Sequence, residues 1–283
     1  MKVKAKELEL QSEINRKRLV EIAFKAKAAH IGGGLSCLNI LTVLYFNVMN
    51  MEAGNPEVPC RDRFVLSKGH CAEALYVTLE ARGFFPAEVT NTLGEFGSVL
   101  SGHPTIHVPG VEVNTGALGH GLSIGVGIAL AAKMDRLQYR TFVLMGDGEQ
   151  GEGSIYEAAM AANQYKLDNL VAIIDRNGLQ ISGTTEDIMA LESINQRWSA
   201  LGWDVTEVNG DKIEDIVSAF GKIDYSDSHP HLLIAHTTKG KGVSYMEGDP
   251  VWHHEIPDVE QYEQAIREIS ESIEILEKQI QRV

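Results

Sequence analysis

The sequence Thr141-Phe-Val-Leu-Met-Gly-Asp-Gly148 decides the fold class, together with Leu170-Val-Ala-Ile-Ile-Asp-Arg-Asn177. Each segment begins as a nearly continuous apolar run and ends in Gly, Asp or Asn, which is typical of a β-strand covered on both faces. The interval between the two segments is long enough for a helix. The pair therefore predicts one unit of a parallel sheet that carries helices.

Three similar runs lie outward from this unit. The predicted strands are Phe64–Ser67, Thr141–Met145, Leu170–Asp175, Asp204–Val208 and Leu232–Thr237. Each run is bounded by Gly, Asp, Asn or Pro, and enough residues for a helix separate it from the next. The alternation predicts an α/β fold with a doubly wound, mostly parallel sheet. In such a sheet the ligand-binding loops lie beyond the carboxyl ends of the strands.

No internal repeat, low-complexity linker or sharp change in composition divides the chain. We therefore predict one α/β domain over residues 1–257, followed by a distinct helical segment over residues 258–283. Apolar residues recur in this segment at alternating spacings of three and four, at Val259, Tyr262, Ile266, Ile269, Ile273, Leu276 and Ile280. This narrow stripe predicts an amphipathic helix, which packs either on its own domain or against another chain.

Composition and charge limit the possible classes of function. Hydrophobic residues make up 44% of the chain and charged residues 23%, which is ordinary for a globular protein and excludes disorder of the whole chain. The chain has 25 Lys and Arg against 39 Asp and Glu, a net charge of −14, so neither nucleic acid nor an anionic membrane is an expected partner. An anionic substrate would need local positive charge from a metal ion, backbone amides or a partner chain.

The ends and the cysteines bear on cellular location. Residues 1–10 are charged and have no apolar core, so no signal peptide is visible. We take Leu122–Ala132 as the longest mostly apolar stretch, and it is too short to span a bilayer. Cys37, Cys60 and Cys71 are too few and too irregularly spaced for a disulfide framework or a zinc site. These observations predict a cytoplasmic protein.

The polar residues after the two central strands have the chemistry of a metal and diphosphate site. Asp147 lies between two glycines after the first strand, and Asn177 follows the second. Adjacent strand ends can bring these side chains together, and Mg²⁺ binds one or two protein oxygens while leaving its other positions to phosphate and water. The flanking glycines allow a pyrophosphate to approach the backbone closely. The plainer interpretation, two turns after two strands, stays open at this point.

The pair of motifs resembles the thiamine diphosphate motif, in which Gly-Asp-Gly is followed by Asn one strand later. Further segments resemble those of the transketolase family and occur in the same order: Phe64-Val-Leu-Ser-Lys-Gly-His70, Ser101-Gly-His-Pro104, Thr115-Gly-Ala-Leu-Gly-His-Gly121, and His236-Thr-Thr-Lys-Gly-Lys-Gly242 with Trp252-His253 after it. The resemblance extends from about Leu19 to His254. Full-length transketolases continue into a pyrimidine-binding domain and a C-terminal domain, so this chain resembles the N-terminal subunit of a split transketolase.

The resemblance implies a role for each motif residue. Asp147, Asn177 and the carbonyl group of Leu179 would bind a divalent cation, which is Mg²⁺ or another such as Ca²⁺ or Mn²⁺. The residues that would contact thiamine diphosphate are His70, Gly116, Ala117, Leu118, Gly146, Asp147, Gly148, Asn177 and His253. The catalytic residues would be His30 and His103 in the sugar channel, His253, and Glu152 at the interface between active sites. Imidazole both donates and accepts protons near neutral pH, which suits it to this role.

Three segments of the chain depart from the family pattern. Ala29-His30-Ile31-Gly32 stands where many members have Gly-His-Pro-Gly, and His120 replaces the usual Gln. In the family the segment that corresponds to Ala29–Gly32 and the position of His120 lie near the substrate funnel. These departures therefore leave the identity of the sugar open. His254 stands where the family has Gly. The roles of His120 and His254 are not assigned by the resemblance.

The implied function is transfer of a two-carbon ketol unit from a ketose phosphate to an aldose, as in pentose phosphate metabolism. It would require thiamine diphosphate, a divalent cation, and a partner subunit with the pyrimidine domain in an α2β2 assembly. A deoxyxylulose-phosphate synthase-like activity and a transketolase for an unusual sugar are the related alternatives. A non-catalytic nucleotide-binding module is disfavoured because Gly32-Gly33-Gly34 follows no convincing strand. A catalytically inactive scaffold is disfavoured because Asp147, Asn177 and His70 are all present.

Overall fold

A parallel five-stranded sheet forms the centre of the fold. The computed structural model describes residues 4–27, 30–56 and 58–282, so Ala29 and the extreme ends of the predicted segments 1–257 and 258–283 lie outside the described residues. The strands are β1 (Arg63–Leu66), β2 (Thr141–Gly146), β3 (Leu170–Arg176), β4 (Leu179–Gln180), β5 (Gly183–Thr184), β6 (Asp204–Asn209) and β7 (His231–His236). The sheet order is β1-β2-β3-β7-β6 with every neighbouring pair parallel, while β4 and β5 form a separate antiparallel pair.

Helices connect the strands. They are α1 (Ala5–Ala26), α2 (Ile31–Val43), α3 (Ala72–Ala81), α4 (Ala87–Thr90), α5 (His120–Asp135), α6 (Gly153–Gln164), α7 (Thr185–Ile188), α8 (Ile194–Ala200), α9 (Ile213–Phe220) and α10 (Val259–Ile280). A π-helical turn, Leu44–Val48, continues α2. Short 3-10 turns, Gly69–Cys71, Gly148–Gly151 and Pro250–His253, lie beside the carboxyl ends of the strands.

The two faces of the sheet bury separate hydrophobic cores, because side chains alternate along a strand. Phe142 and Leu144 of β2 pack in the core that includes α1, α2, α3, α9 and α10. Val143 and Met145 of the same strand pack in the other core, with α5, α6 and α8. Helices thus cover both faces, and the predicted doubly wound, mostly parallel α/β fold is confirmed.

All five predicted strands of the main sheet are present, but two of them are displaced by one residue. The first is Arg63–Leu66 because the chain turns after Leu66, where the backbone N–H of Gly69 donates to the carbonyl oxygen of Ser67 at 2.8 Å. The last is His231–His236, so Thr237 lies beyond the strand. The strands β4 and β5 are not among the predicted ones, since strands of two residues are too short to show a period.

Helix α10 packs on α1 of the same chain. The helix begins at a capping box, in which the backbone N–H of Gln261 donates to the Asp258 carboxylate at 2.9 Å and the Gln261 side chain accepts from the Asp258 N–H. The rings of Phe24 and Tyr262 stack with centroids 4.2 Å apart. Ile269 of the predicted apolar stripe is fully buried in this contact, whereas Val259 is largely exposed.

The longest apolar helix differs from the one expected. Ile31–Val48, which is α2 with its π-helical turn, has a mean hydropathy of 1.5 and is long and apolar enough to cross a membrane, so our choice of Leu122–Ala132 as the longest apolar stretch was wrong. The helix is 83% buried inside the fold. Such burial is typical of the core helix of a globular protein, and length and composition alone are weak evidence for a membrane span. Leu122–Ala132 lies within α5.

Candidate functional site

The loops at the carboxyl ends of β1, β2, β3 and β7 surround a cavity of about 390 Å³. Most of the predicted site residues line it, namely His30, His70, Gly116, Leu118, Gly146, Asp147, Gly148, Glu152, Asn177, Leu179 and His253. Residues from both halves of the chain therefore meet at the edge of the sheet where ligands bind in doubly wound folds. Larger surface cavities, one of them about 770 Å³ beside α1, contain none of these motif residues.

Two predicted residues are absent from the lining of this cavity. Ala117 is exposed, so the wall predicted from Gly116, Ala117 and Leu118 consists of its first and third members only. His103 is also exposed, and it lies against Gly116. A Cβ atom at Gly116 would come within 2.8 Å of the His103 ring, and the φ of +141° at Gly116 also favours glycine.

Asp147 is a buried residue that lines the cavity. It accepts hydrogen bonds from the backbone N–H groups of Gly148 at 2.8 Å and Gly178 at 2.7 Å, and Arg176 lies 3.3 Å away. Burial, and then the nearby Asp175, raise the pKa of the Asp147 carboxyl. A divalent cation would supply the positive charge that favours the ionised form.

Asn177 and Leu179 add further oxygen atoms beside Asp147. The Asn177 side-chain oxygen accepts from the Leu179 N–H at 3.1 Å, so the turn after β3 fixes its orientation. A carboxylate, an amide oxygen and a backbone carbonyl form an all-oxygen set, which is the type of ligand that Mg²⁺ or Ca²⁺ prefers. Within the part of the chain that the structure describes, the buried Nε2 of Gln180 beside them has no hydrogen-bond partner. These residues fit a divalent cation bound to an oxygen-rich ligand.

Gly148 provides a close approach to the backbone. A Cβ atom at this position would lie 2.6 Å from Oε1 of Gln180, so any larger residue would displace the Gln180 side chain. The backbone N–H groups that follow begin a 3-10 turn, Gly148–Gly151. Exposed N–H groups in such a turn can donate to phosphate oxygens. The glycine therefore fits the predicted contact with a diphosphate.

Two lysines that the sequence analysis did not assign also line the cavity. Lys68 is buried, forms an ion pair with the buried Asp175, and donates to the carbonyl oxygen of Gly33 at 3.0 Å. Lys239 is also buried, and its Nζ lies 2.8 Å from Nδ1 of His253. Burial, and then Lys68, lower the pKa of the Lys239 ammonium group. The pair supplies local positive charge within a chain whose net charge is −14.

Five histidine rings cluster at the mouth of the cavity. The ring centroid of His30 lies 5.1 Å from that of His70, 5.4 Å from His253, 4.6 Å from His254 and 6.4 Å from His103. Burial, followed by the charge of His70, lowers the pKa of His30 to about 4. Burial, followed by Lys239, lowers the pKa of His253 to about 3. Both imidazoles are therefore neutral at pH 7.

The comparison with known families agrees with this geometry. Residues 10–266 match the family model described as transketolase, thiamine diphosphate binding domain. This chain belongs to the transketolase family. The match covers the whole sheet and every motif residue named above.

Relatives of similar length are subunits of transketolases. The chain is 73% identical to one subunit of the apulose-4-phosphate transketolase of Phocaeicola vulgatus, over 96% of this chain and 97% of that protein. It is 39% identical to the 6-deoxy-6-sulfo-D-fructose transketolase subunit SqwG of a Clostridium species, over 93% and 96% of the two chains. The solved transketolase of Campylobacter jejuni superposes with a TM-score of 0.83 at 28% identity, over 99% of this chain and 49% of that one. This chain thus spans about half the length of that transketolase.

Glu149 organises the transketolase motifs and was missed by the sequence analysis. Its buried carboxyl group accepts from the Ser67 hydroxyl and from the N–H groups of Gly119 at 2.8 Å and Gly146 at 3.0 Å. One side chain therefore connects the loops after β1, before α5 and after β2. Burial raises the pKa of Glu149. Its position directly after Gly146-Asp-Gly148 was the feature of the sequence from which Glu149 could have been predicted.

The remaining predicted residues take separate positions. Glu152 is exposed and lines the cavity. Its Cβ packs against Gly119, since a Cβ atom added at Gly119 would lie only 2.6 Å from it. His120, which replaces the family Gln, is exposed, and its Nδ1 lies 3.1 Å from the carbonyl oxygen of Leu118. His120 does not line the cavity, whereas His254 does.

Proposed function

We propose that this chain is the diphosphate-binding subunit of a two-subunit transketolase that acts on an unusual ketose phosphate. The main support is sequence identity. The chain is 73% identical, along nearly the whole of both chains, to a protein named as one subunit of an apulose-4-phosphate transketolase. The names of the relatives favour ketol transfer over a deoxyxylulose-phosphate synthase-like activity. Apulose-4-phosphate is therefore the first donor to test, and 6-deoxy-6-sulfo-D-fructose is the second because of the relative at 39% identity.

Thiamine diphosphate with Mg²⁺, or with Ca²⁺ or Mn²⁺, is the proposed cofactor. Asp147, Asn177 and the Leu179 carbonyl group would bind the cation. His70, His253 and the Gly146-Asp-Gly148 backbone would contact the diphosphate, with Lys68 and Lys239 supplying positive charge nearby, and Gly116 and Leu118 would form the wall beside the rings. When bound, the cofactor supplies the electron sink for breaking the carbon–carbon bond.

The histidines of this chain would hold the sugar and move its protons. His30 is neutral at pH 7 because burial lowers its pKa to about 4, so its ring can accept a proton from a sugar hydroxyl or donate its own N–H. Burial also lowers the pKa of His103, which lies against Gly116 at the mouth of the cavity. Lys239 beside Nδ1 of His253 orients that ring so that Nε2 carries its proton.

The proposed partner is a second subunit that carries the pyrimidine domain, in an α2β2 assembly in the cytoplasm. The names of the relatives support a partner, because each relative is designated one subunit of its transketolase. Glu152, which is exposed at the cavity, would contact that partner. Closed two-fold symmetry is the usual arrangement of such assemblies.

The test is a coupled assay of ketol transfer with this subunit, its partner subunit, and both together. We expect turnover of apulose-4-phosphate only when both subunits, thiamine diphosphate and Mg²⁺ are present. Substantial turnover by this chain alone would exclude the two-subunit proposal. If the complex transferred a ketol unit from none of the ketoses, the transketolase activity itself would be excluded.

A further inference from the structure

His254 adds an imidazole to the cavity at a position where the family pattern has glycine. The residue follows the 3-10 turn Pro250–His253, and its ring centroid lies 4.6 Å from that of His30 and 4.5 Å from that of His253. One nitrogen of each of these three rings lies within 4.8 Å of the other two. Three nitrogen atoms therefore converge on one place in the cavity.

The hydrogen-bonding capacity of this place is largely unused. Lys239 donates to Nδ1 of His253, so the remaining N–H of that ring is at Nε2. Over the described ranges 4–27, 30–56 and 58–282, no side-chain hydrogen bond is formed by the ring of His30 or His254. The place thus offers two imidazoles, those of His30 and His254, that can donate or accept. A sugar hydroxyl group, which both donates and accepts, matches this pair.

Three imidazoles are also a ligand set for zinc, but the surroundings favour a sugar. The ammonium group of Lys239 lies 2.8 Å from Nδ1 of His253, and Lys68 lines the same cavity. A second cation at this place would be repelled by the ammonium group of Lys239, whereas the charge of Lys68 is paired with Asp175. In addition, Nε2 of His253 carries a proton and Nδ1 accepts a hydrogen bond from Lys239. The ring of His253 therefore has no lone pair free for a metal.

We propose that His254 is a specificity-determining residue that, together with His30, binds a hydroxyl group of the ketose donor. The inference rests on the proposed function and names one further residue that selects the sugar. A family member with glycine at this position lacks the side chain that makes the contact. His254 would therefore distinguish donors that place a hydroxyl group here from donors that do not.

The experiment compares His254→Phe and His254→Asn with wild type in the complex with the partner subunit. Phe keeps the ring without its nitrogen atoms, and Asn restores a polar group. The matched control is His229→Ala, because His229 is an exposed histidine outside the cavity. The readouts are kcat and KM for apulose-4-phosphate, 6-deoxy-6-sulfo-D-fructose and fructose 6-phosphate, and the affinity for thiamine diphosphate.

We expect His254→Phe to raise KM for the preferred donor about tenfold, as loss of one hydrogen bond does, with a smaller effect on kcat. The preference among donors should shrink, the affinity for thiamine diphosphate should stay at the wild-type value, and His254→Asn should recover part of the lost affinity. His229→Ala should match wild type throughout. A wild-type KM and donor ranking in His254→Phe would overturn the inference, and so would an equal loss for all donors accompanied by loss of cofactor binding.

A separate titration with Zn²⁺ alone tests the metal alternative. Stoichiometric zinc binding that is lost in His254→Phe but kept in Asp147→Asn would assign the three imidazoles to a metal and overturn the sugar contact. The results also distinguish failure of the His254 contact from failure of the proposed transketolase function. If the wild-type complex is active and His254→Phe is identical to it, only the inference fails; if the wild-type complex uses no ketose, the proposed function fails and the inference fails with it.

Discussion

Asp62 and Asp147 are buried aspartates at opposite ends of the same sheet, and their surroundings differ. Asp62 precedes β1 and accepts from the N–H groups of Asn50 and Arg140, both at 2.8 Å, and from the Arg140 guanidinium group. Asp147 follows β2, and its nearest cation, Arg176, also contacts Glu186 at 2.9 Å and Glu192 at 3.0 Å.

The difference separates a structural end of the sheet from a functional one. At the amino end, one arginine serves one aspartate, and the same guanidinium group lies 5.1 Å from the centroid of the Tyr225 ring. At the carboxyl end, one arginine is shared among three carboxylates, and the pKa of Asp147 is raised by burial and by Asp175. A buried charge whose compensation is incomplete within the protein points to a ligand that supplies the rest.

The largest expected effect is that of Asp147→Asn on cofactor binding. The substitution keeps the size of the side chain and removes the charge that would hold the cation, so we expect the affinity for thiamine diphosphate in the presence of Mg²⁺ to fall by about 100-fold or more. The measurement is a titration of the cofactor on the assembled complex. If this variant bound thiamine diphosphate with wild-type affinity, Asp147 would not be a metal ligand. The assignment of Asp147 to function and of Asp62 to structure would then be wrong.

His30→Ala tests whether the histidine cluster acts on the sugar. Loss of a neutral imidazole that moves a proton should lower kcat by about 100-fold, within the usual range for general acid–base catalysis. The affinity for thiamine diphosphate should stay nearly unchanged, and His103→Ala should behave in the same direction. Loss of cofactor binding in either variant would place these side chains against the diphosphate instead.

Asp62→Ala should affect stability and leave the cofactor site intact. Removing one member of a buried, hydrogen-bonded ion pair leaves the other uncompensated, and we expect a loss of about 3 kcal/mol in the free energy of unfolding. Denaturant unfolding of this variant and of Asp147→Asn, both without cofactor, gives the comparison. Equal destabilisation by both substitutions would contradict the assignment of only one aspartate to structure.

The smallest effect concerns Glu73, a buried carboxyl group on the functional side. Among residues 4–27, 30–56 and 58–282 its Oε2 has no hydrogen-bond partner, and burial raises its pKa to about 8. Because the folded state binds this proton more tightly than the unfolded state, the stabilisation is fully present below the ordinary glutamate pKa of 4.5 and is lost as the pH rises through about 8.

Glu73→Gln should therefore flatten part of this pH dependence. Between pH 6 and pH 9 the melting temperature of wild type should fall by a few degrees more than that of the variant, since a change of about 1 kcal/mol shifts the melting temperature by about 2–4 °C in a domain of this size. Thermal unfolding at a series of pH values measures it. Parallel curves for the two proteins would show that Glu73 titrates in its ordinary range.

The sequence predicted the residues of the site better than their surroundings. Asp147, Asn177 and His70, which line the cavity, were predicted because each lies in a short motif that ends a strand or follows one. Lys68 and Lys239 lie in the same motifs but were not assigned, since a lysine is usually exposed and its burial depends on the rest of the fold. Ala117 was placed in the wall from its neighbours in sequence, whereas the backbone turns it outward.

What the sequence by itself determined is local. The apolar runs that end in Gly, Asp or Asn determined the five main strands and the fold class, because strand periodicity and turn chemistry act over a few residues. The family motifs determined the class of cofactor for the same reason.

What only the tertiary structure decided is the electrostatic environment. Lys68 pairs with Asp175, and Arg176 divides its charge among Asp147, Glu186 and Glu192. The ring of His254 meets those of His30 and His253. The energy of a charge depends on its burial and on every charged group within a few ångströms, and parts of the chain far apart in sequence supply those groups.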